Sequence, residues 1–332
     1  MKLKRTLPLA MIMMVSGAAQ ATDACCGSLF GDDEHGFDRV ESERNRSNQI
    51  VRQTNFQVSQ HLASMIFQPL STGTLANSGN KMAASSDGSS IIDSLWNSST
   101  YTHLKDDDGS RTDYSTDLYQ FVTGVDKQFG DFYVGSALTY VYGNTQQPLN
   151  DNNTNTVAIT PYAAYKLTDW AFFSLLGSYN YTGSDNNDGP FDFDTHQFLT
   201  EVNLNGAYSV GAFTLKGRGG FRYNHTYISM LNSADSDYDE LTWIGDVQMD
   251  FKVIDNLTVY TGALYEYKDQ ESFSLASTSL NGTEIHDGVV YIRGGVDYQV
   301  RPGLYLGVTG FTDVNDDDNN LYNVGMNVRL DL

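Results

Sequence analysis

The sequence predicts an all-β fold, a twelve-stranded antiparallel transmembrane β-barrel of the outer-membrane type with one N-terminal helix in its lumen. Three observations support this prediction. Apolar residues recur at every second position over much of residues 92–332, which is the spacing of strands with two different faces. Short and long connections alternate along that region, and aromatic residues gather at both ends of the segments, as in membrane barrels. Ahead of the strands, residues 47–67 alone repeat at helical spacing.

The first 21 residues have the pattern of a secretory signal peptide. A basic start at Lys2, Lys4 and Arg5 precedes an apolar run over residues 7–15 and a small residue, Ala21, at the expected cleavage point. The apolar run is too short for a membrane-spanning anchor. Cleavage removes three positive charges and no negative ones, which takes the formal net charge from −21 to −24. A chain this acidic has no electrostatic means of holding nucleic acid.

Residues 22–46 are predicted to form a short acidic arm, because charges crowd there in the stretch DDEHGFDRVESERNR. The arm contains the only two cysteines, Cys25 and Cys26. Adjacent cysteines pair with each other only under strain, so an intermolecular disulfide and no role at all both stay open. A lipid anchor on Cys25 is disfavoured, because Thr22 stands where a lipoprotein signal normally has Leu.

Residues 47–68 are predicted to form the helix, with Ser47 as its cap and Pro69 as its stop. Its apolar stripe consists of Ile50, Val51, Thr54, Val58, Leu62 and Met65. The remaining surface is polar and nearly uncharged, so the helix cannot face lipid.

We therefore predict that the helix plugs an acidic lumen. Arg52, Gln57 and His61 are its candidate partners for the barrel wall, with Gln57 opposite Gln248 as one example. Residues 69–91, rich in Ser, Gly, Ala and Asn, are predicted to be a flexible linker to the barrel domain, residues 92–332.

The twelve predicted strands are long enough for tilted membrane crossings. They span approximately residues 92–104, 116–129, 132–143, 154–167, 170–183, 195–210, 212–226, 240–253, 257–268, 287–300, 304–313 and 320–332. Tight connections such as Gly130-Asp131 predict periplasmic turns, and the polar stretches between them predict long extracellular loops. An even strand number allows the first and last strands to pair and close the sheet. Pro161 lacks a backbone donor, so we predict a β-bulge there.

Alternation within the strands predicts a lipid-facing side and a charged, hydrated lumen. The charged residues on the predicted inward face are Arg218, Arg222, Asp246, Asp250, Glu266, Arg293, Asp297, Arg329 and Asp331. Two interpretations stay open: these charges stabilise the barrel wall, or they line an ion-conducting path. A helix that fills the pore favours the first.

In this arrangement the chain resembles the C-terminal translocator, or β-domain, of the autotransporter family. The resemblance covers residues 47–332 and lies in SLWNSSTYTH at the first strand, FVTGVDKQFGDFYVGSALTYVYG over strands 2 and 3, and ITPYAAYKLTDWAFFSLLGSYNY over strands 4 and 5. It implies a barrel in the Gram-negative outer membrane, inserted by the outer-membrane assembly machinery and surrounded by lipid and lipopolysaccharide, with the helix passing through the pore.

Three features depart from the family pattern. Only about 25 residues separate the predicted signal from the helix, so no large passenger is expected. The helix stretch SNQIVRQTNFQ lacks the Asn-Asn pair at which self-releasing members are cut. The chain ends in Leu332 rather than in an aromatic residue, for which we expect at most slower assembly.

No catalytic, cofactor or metal site is predicted. Histidines 103, 196, 225 and 286 fall near the extracellular strand ends, and His196 and His225 with Asp194 could bind a metal or transfer protons. No ligand-spacing motif unites them, so solvated rim residues are the favoured interpretation and a surface hydrolase is a minor alternative. The acidic stretches DVNDDDNN and DDDG could attract calcium, but solvated loops are favoured.

The leading functional hypothesis is therefore a surface-exposed structural or adhesion/interaction protein whose acidic loops contact envelope or host surface ligands. The alternative is a porin-like channel for small solutes, in which the helix is absent from the lumen or displaceable.

Overall fold

The structure, a computed structural model, describes residues 50, 53–67, 91–106, 114–147, 150–186, 193–230, 236–275, 285–314 and 319–332. These residues form one helix, α1 (residues 53–67), and twelve strands. The strands are β1 (Ser94–Asp106), β2 (Tyr114–Phe129), β3 (Phe132–Gln147), β4 (Asn150–Thr168), β5 (Ala171–Asn186), β6 (Phe193–Val210), β7 (Phe213–Met230), β8 (Ser236–Ile254), β9 (Leu257–Leu275), β10 (Ile285–Arg301), β11 (Leu304–Asp313) and β12 (Asn319–Asp331). The described helix is not long and apolar enough to cross a membrane. The predicted signal peptide and acidic arm, and almost all of the linker, lie outside the described residues.

The strands form one closed antiparallel barrel in which each strand pairs with its neighbours in the chain. Closure comes from β1 and β12, which pair from Ser94 opposite Asp331 to Asp106 opposite Asn319. A closed ladder leaves no edge with unpaired N–H and C=O groups, which hydrocarbon could not satisfy. The predicted twelve-stranded closed barrel is confirmed.

The strands continue further beyond the membrane than predicted. β3 reaches Gln147 and β4 starts at Asn150, so most of the predicted loop NTQQPLNDNN is paired strand. Two flanking strands satisfy a backbone in water as well as in lipid, so Asn and Asp do not by themselves end a strand there. The polar stretches indicate where the strands leave the membrane, but they do not fix where the strands end.

Tight turns connect the strands at the opposite end of the barrel. Gly130, Gly211 and Gly303 have φ values of 65°, 60° and 82° there, a backbone region that favours glycine. Short turns lie on the periplasmic side of outer-membrane barrels, so this end faces the periplasm.

The predicted bulge at Pro161 is wrong. Pro161 pairs with Ser136 on β3, and the pairing to β5 is interrupted around it. The register beyond the interruption is unchanged, with Ile159 opposite Tyr179 and Tyr162 opposite Leu176. The backbone N–H that Pro161 lacks therefore requires no inserted residue, because the pairing of β4 with β3 and β5 before and after it keeps the strand in register.

The outward face has an uncharged band between its two rims. Among the described residues, charged side chains on this face occur only near the strand ends, as Asp117 and Lys127 do on β2. These two residues stand ten positions apart, which is about 33 Å along a strand and about 25 Å in height at a tilt of roughly 40°. That height matches the apolar band of outer-membrane barrels.

This band generates a depth-dependent prediction. Val247 and Val253 both face outward on β8, with exposed fractions of 54% and 47%, but Val247 lies mid-strand and Val253 near the periplasmic turn. We expect Val247→Arg to lower the free energy of unfolding by about 2–4 kcal/mol and Val253→Arg by about 0–1 kcal/mol. Guanidinium titrations of the protein in phospholipid vesicles measure both values, and equal costs would contradict the assigned membrane position.

Candidate functional site

The lumen contains α1, as predicted. At its N-terminal side Ile50 packs with Leu118 and Val141, in the extracellular half of the barrel. At its C-terminal end the Phe67 ring lies 5.0 Å from the ring of Phe172, next to a periplasmic turn. The helix therefore runs through the lumen with its N-terminal end toward the outside.

One side of the lumen is apolar, which corrects the prediction of a charged, hydrated interior. Five helix residues, Val58, Leu62, Met65, Ile66 and Phe67, pack there against the wall. The wall residues are Trp96, Val122, Tyr133, Ala137, Tyr162, Ala164, Phe172, Leu176 and Ala207. Burying each large apolar helix side chain contributes about 1.5–3 kcal/mol. We call this wall surface, contributed by β1 to β6, the apolar seat.

A buried carboxylate joins the helix to the barrel beside the apolar seat. His61 Nε2 lies 2.6 Å from Asp126 Oδ2, and the hydroxyls of Ser94 and Tyr162 also donate to this carboxylate. The His61 ring stacks on Trp96 at 4.5 Å, and Trp96 Nε1 donates to the Tyr162 hydroxyl at 3.0 Å. Three donors from α1, β1 and β4 thus satisfy one buried acid, which fixes the rotation of the helix.

The opposite side of the lumen holds a network of ion pairs on β6 to β10. Its members are Glu201, Arg218, Arg222, Asp246, Glu266 and Arg293. Arg222 lies 2.9 Å from Glu201 and 3.2 Å from Glu266. Asp246 lies 2.7 Å from Arg293 and 3.4 Å from Arg218. Three acids and three arginines balance one another, as buried charges must to offset their desolvation. We call this group the charged wall.

The helix contacts the charged wall with uncharged side chains. Asn55 Nδ2 donates to Glu201 Oε2 at 3.2 Å, and Asn55 is fully buried. The Arg293 guanidinium lies over the Phe56 ring at 5.1 Å from its centroid, within cation–π range. The described helix residues include no Asp, Glu, Lys or Arg, so the plug does not disturb the charge balance of the wall.

The helix is rotated relative to the suggested pairing of Gln57 with Gln248. Gln57 instead contacts Thr100 on β1 at 3.3 Å, and Gln60 donates to Gln248 at 3.2 Å. Each step along a helix turns the side chain by about 100°, so Gln60 lies about 60° around the helix from Gln57 and about one turn lower, and it is Gln60 that reaches β8. The side chain of Arg52 lies outside the described residues.

The other predicted wall residues face the lumen nearer the periplasm. Asp250 pairs with Lys216 at 2.7 Å, and Arg329 donates to Ser64 of the helix at 2.7 Å. Asp297 lines a cavity of about 170 Å³ between the helix and this wall. The cavity extends to the turn at residues 255–256, so it reaches the periplasmic mouth.

Phe56 bounds this cavity toward the outside. It also lines a much smaller cavity of about 10 Å³ together with Leu264, Tyr291, Arg293 and Phe311. Its ring lies 5.9 Å from that of Phe311. Phe56 therefore stands between the periplasmic cavity and this smaller one.

The rim histidines do not form the metal or acid-base site considered from the sequence. His196 contacts Tyr179 and His225 contacts Asp239, each at 2.8 Å, while Asp194 accepts from Tyr181. Within the described part of the chain, no group of three or more His, Cys, Asp or Glu residues is arranged to hold a metal ion. The His286 side chain lies outside that part.

Sequence reasoning missed Asp126 and Glu201, the two carboxylates that contact the helix. Each stands beside an outward apolar neighbour, Val125 or Val202, and therefore faces inward; Glu201 lies in the middle of β6, whereas Asp126 lies near the periplasmic end of β2. The alternation was the available signal for both, and it was strongest for Glu201, because a mid-strand acid in a membrane barrel has to face the lumen.

The link between His61 and Asp126 generates a prediction about release of the helix. With Cys25 and Cys26 replaced by Ser, a cysteine at the buried position Ser59 reports helix exit through its labelling rate in the folded barrel. We expect His61→Ala to raise that rate roughly tenfold to a hundredfold, the effect of losing a buried hydrogen bond to a carboxylate. Gln60→Ala, which removes a partly buried bond between neutral groups, should raise it less than about tenfold. Equal rates in the two variants would show that Asp126 does not hold the helix.

Comparisons with known proteins agree with this architecture. The family model described as autotransporter beta-domain matches residues 95–310. No curated protein matches the chain. Solved structures that resemble it include the β-domain of the Bordetella autotransporter BrkA, with a TM-score of 0.58, 12% identity, and 73% of this chain and 100% of that one covered.

Two further solved structures share the fold. The translocator domain of NalP from Neisseria meningitidis has a TM-score of 0.58 at 11% identity, with 84% of this chain and 98% of that one covered. The transport unit of AIDA-I from Escherichia coli has a TM-score of 0.51 at 11% identity, with coverages of 80% and 99%. This barrel fold implies the lipid bilayer of the Gram-negative outer membrane, where the outer-membrane machinery assembles such proteins. Because the family model matches well over half of the length of this chain, the chain belongs to the autotransporter β-domain family.

Proposed function

We propose that this protein is a plugged outer-membrane barrel that acts at the cell surface as a structural or adhesion/interaction protein. The observation that carries the proposal is the fit of α1 to two different walls. Its apolar stripe occupies the apolar seat, and its uncharged polar side meets the charged wall. A helix held on both sides closes the pore and leaves the extracellular connections as the surface available to ligands.

The ion pairs of the charged wall support closure. The carboxylates of Glu201 and Glu266 both lie near Arg222, and all three side chains are buried. Charges that neutralise one another within a wall offer little to a passing ion, and each is needed by its partner, because removing one leaves an uncompensated buried charge. This favours the wall-stabilising interpretation of the lumen charges over an ion path.

The composition of the extracellular connections favours polar or basic ligands. Their sequences are rich in Asp and Asn, as in residues 106–109 and 313–320. A surface of one sign attracts ligands of the opposite sign, and salt weakens that attraction. We propose that these connections contact surface ligands of the envelope or of a host.

A porin-like channel is the second candidate, and the periplasmic cavity favours it. The cavity is bordered by charged side chains such as Lys216, Asp250 and Asp297 and reaches the periplasmic mouth. A helix that moved at Phe56 would connect this space with the extracellular half of the lumen.

Planar-bilayer recording of the purified full chain distinguishes the two candidates. We expect the intact protein to show no steady conductance, because α1 fills the lumen, and deletion of residues 47–67 to produce a stable open pore. Deletion of residues 22–46, ahead of the helix, should leave the barrel closed. Steady large conductance in the intact protein would reject the plugged barrel.

Phe56→Ala refines this measurement. The variant removes the ring between the two cavities and should produce brief openings, whereas Gln60→Ala enlarges the same periplasmic cavity and should stay closed. Openings in both variants would place the barrier elsewhere.

Adhesion of cells that display the chain tests the surface role. We expect such cells to be retained on at least one glycan- or protein-coated surface more strongly than cells without the chain, with retention falling as salt rises. Exchanging Asp316, Asp317 and Asp318 for Asn should reduce that retention if these acids contribute. If cells that display the chain are retained no better than cells without it on every coating, the proposed adhesion role is wrong.

A further inference from the structure

The outward face carries a cluster of polar side chains at its extracellular rim that the plug does not use. On the hairpin of β1 and β2, the Tyr101 hydroxyl donates to Asp117 Oδ1 at 2.7 Å. His103 Nδ1 lies 2.9 Å from the same oxygen. The side chains of His103 and Asp117 are about one-third exposed.

The same arrangement recurs on β7 and β8. The Tyr223 hydroxyl donates to Asp239 Oδ1 at 2.7 Å, and His225 Nδ1 lies 2.8 Å from that oxygen. In both copies a Tyr-Xaa-His sequence lies on the strand that runs toward the outside, β1 or β7. The aspartate lies directly opposite the histidine on the following strand, β2 or β8. A pattern repeated on separate hairpins, with the same oxygen accepting twice, points to a shared role.

A third cluster on β5 and β6 uses the same residue types with different bonds. Tyr181 donates to Asp194 at 2.8 Å, and the Tyr179 hydroxyl lies 2.8 Å from His196 Nδ1. The His196 ring lies 6.3 Å from that of Tyr227 on β7. We call these three groups the rim clusters.

The chemistry of the rim clusters favours a ligand that donates hydrogen bonds. A carboxylate only accepts, so the Nδ1 atoms of His103 and His225 must carry the proton that they share with Asp117 and Asp239. The second carboxylate oxygen remains an acceptor, and so does Nε2 when the ring carries a single proton. Both atoms lie on or beside a carboxylate, whose negative charge repels phosphate.

Aromatic rings extend the cluster on the first hairpins into a platform. The rings of Tyr101 and Tyr119 are 5.2 Å apart, and those of Tyr119 and Tyr142 are 6.5 Å apart. All three side chains are exposed on the outer face. Flat rings next to hydrogen-bond acceptors suit a molecule with apolar C–H faces and hydroxyl edges.

The position of the rim clusters along the membrane normal indicates which part of the lipids they contact. They lie above the uncharged band, where a barrel leaves the hydrocarbon and its aromatic girdle reaches the headgroups. The side chains of His225 and Asp239 are 39% and 51% exposed at this level. Their immediate neighbours in the membrane are therefore headgroups of the outer leaflet.

We propose that the rim clusters bind the sugar hydroxyls of glycolipid headgroups in the outer leaflet. Sugars supply both the several hydroxyl donors and the C–H faces that the clusters match, whereas a phosphate without sugar has no such face and at most one hydroxyl, which is lost as it ionises. The inference rests on the outer-membrane location and not on whether α1 closes the pore, so the conductance measurements do not bear on it.

The hairpin of β3 and β4 provides an internal control. Tyr140 donates there to Asn155 at 2.8 Å and Tyr142 to Asn153 at 3.2 Å, so amides replace the carboxylates and no histidine takes part. Tyr140→Phe thus removes a hydroxyl from the same girdle without touching a rim cluster.

Lipid retention by the purified full chain, measured by native mass spectrometry, tests the proposal with two probes. Monoglucosyl diacylglycerol carries a sugar and no phosphate, and phosphatidic acid carries a phosphate and no sugar. We expect the unmodified protein to retain the glucolipid roughly tenfold better, and the combined variant His103→Phe, Asp117→Asn, His225→Phe, Asp239→Asn to lose most of that preference. Tyr140→Phe should keep it.

Heat-modifiable migration on a gel shows whether each variant is folded, and Asp117→Asn and Asp239→Asn alone serve if the combined variant does not fold. Equal or better retention of phosphatidic acid would overturn the proposal. The same holds if folded rim variants keep the full preference, or if chelation of divalent cations abolishes binding of the glucolipid.

Discussion

The lumen depends on one electrostatic constraint: charges buried in the barrel wall have to be paired with opposite charges or fully hydrogen-bonded. The charged wall meets it with three acids and three arginines, and Asp126 meets it with three hydrogen-bond donors. This balance explains the composition of the helix. A charged side chain in the described part of α1 would have added an unmatched charge, and that part has none apart from the histidine that faces Asp126. Where the helix was expected to fit an acidic lumen, it meets a charged wall whose three acids and three arginines balance.

Two kinds of contact hold the plug, apolar packing and directional hydrogen bonds. The apolar seat buries area and is tolerant of small rotations, because dispersion contacts have no strong direction. The bonds from His61 and Asn55 are directional and select one rotation among those that the seat allows. A plug that left the barrel would expose the seat and leave Asp126 with one donor fewer. Retention of the plug is thus a property of the whole lumen and not of a single residue.

The alternation of inward and outward residues along each strand made most of the barrel predictable. Strand number, closure and the inward position of the charged residues follow from a repeat of two that is read locally. Helix rotation was not predictable, because it depends on pairs such as Asn55 and Glu201, which stand 146 positions apart. The apolar seat was missed for a related reason: small inward residues such as Ala137 and Ala164 give no strong pattern, and their role appears only when a helix lies against them.

Carboxylates inside and outside the barrel differ in how fully they are satisfied. Asp126 is buried and accepts from His61, Ser94 and Tyr162 on both of its oxygens. At the rim, Asp117 accepts from two side chains on one oxygen, and within the described residues the second oxygen faces no side-chain donor. Water could satisfy that oxygen at no cost, so its openness alone selects no ligand. What selects one is the repetition of the arrangement on a second hairpin, beside aromatic rings and at headgroup height, where hydroxyl donors from lipids compete with water.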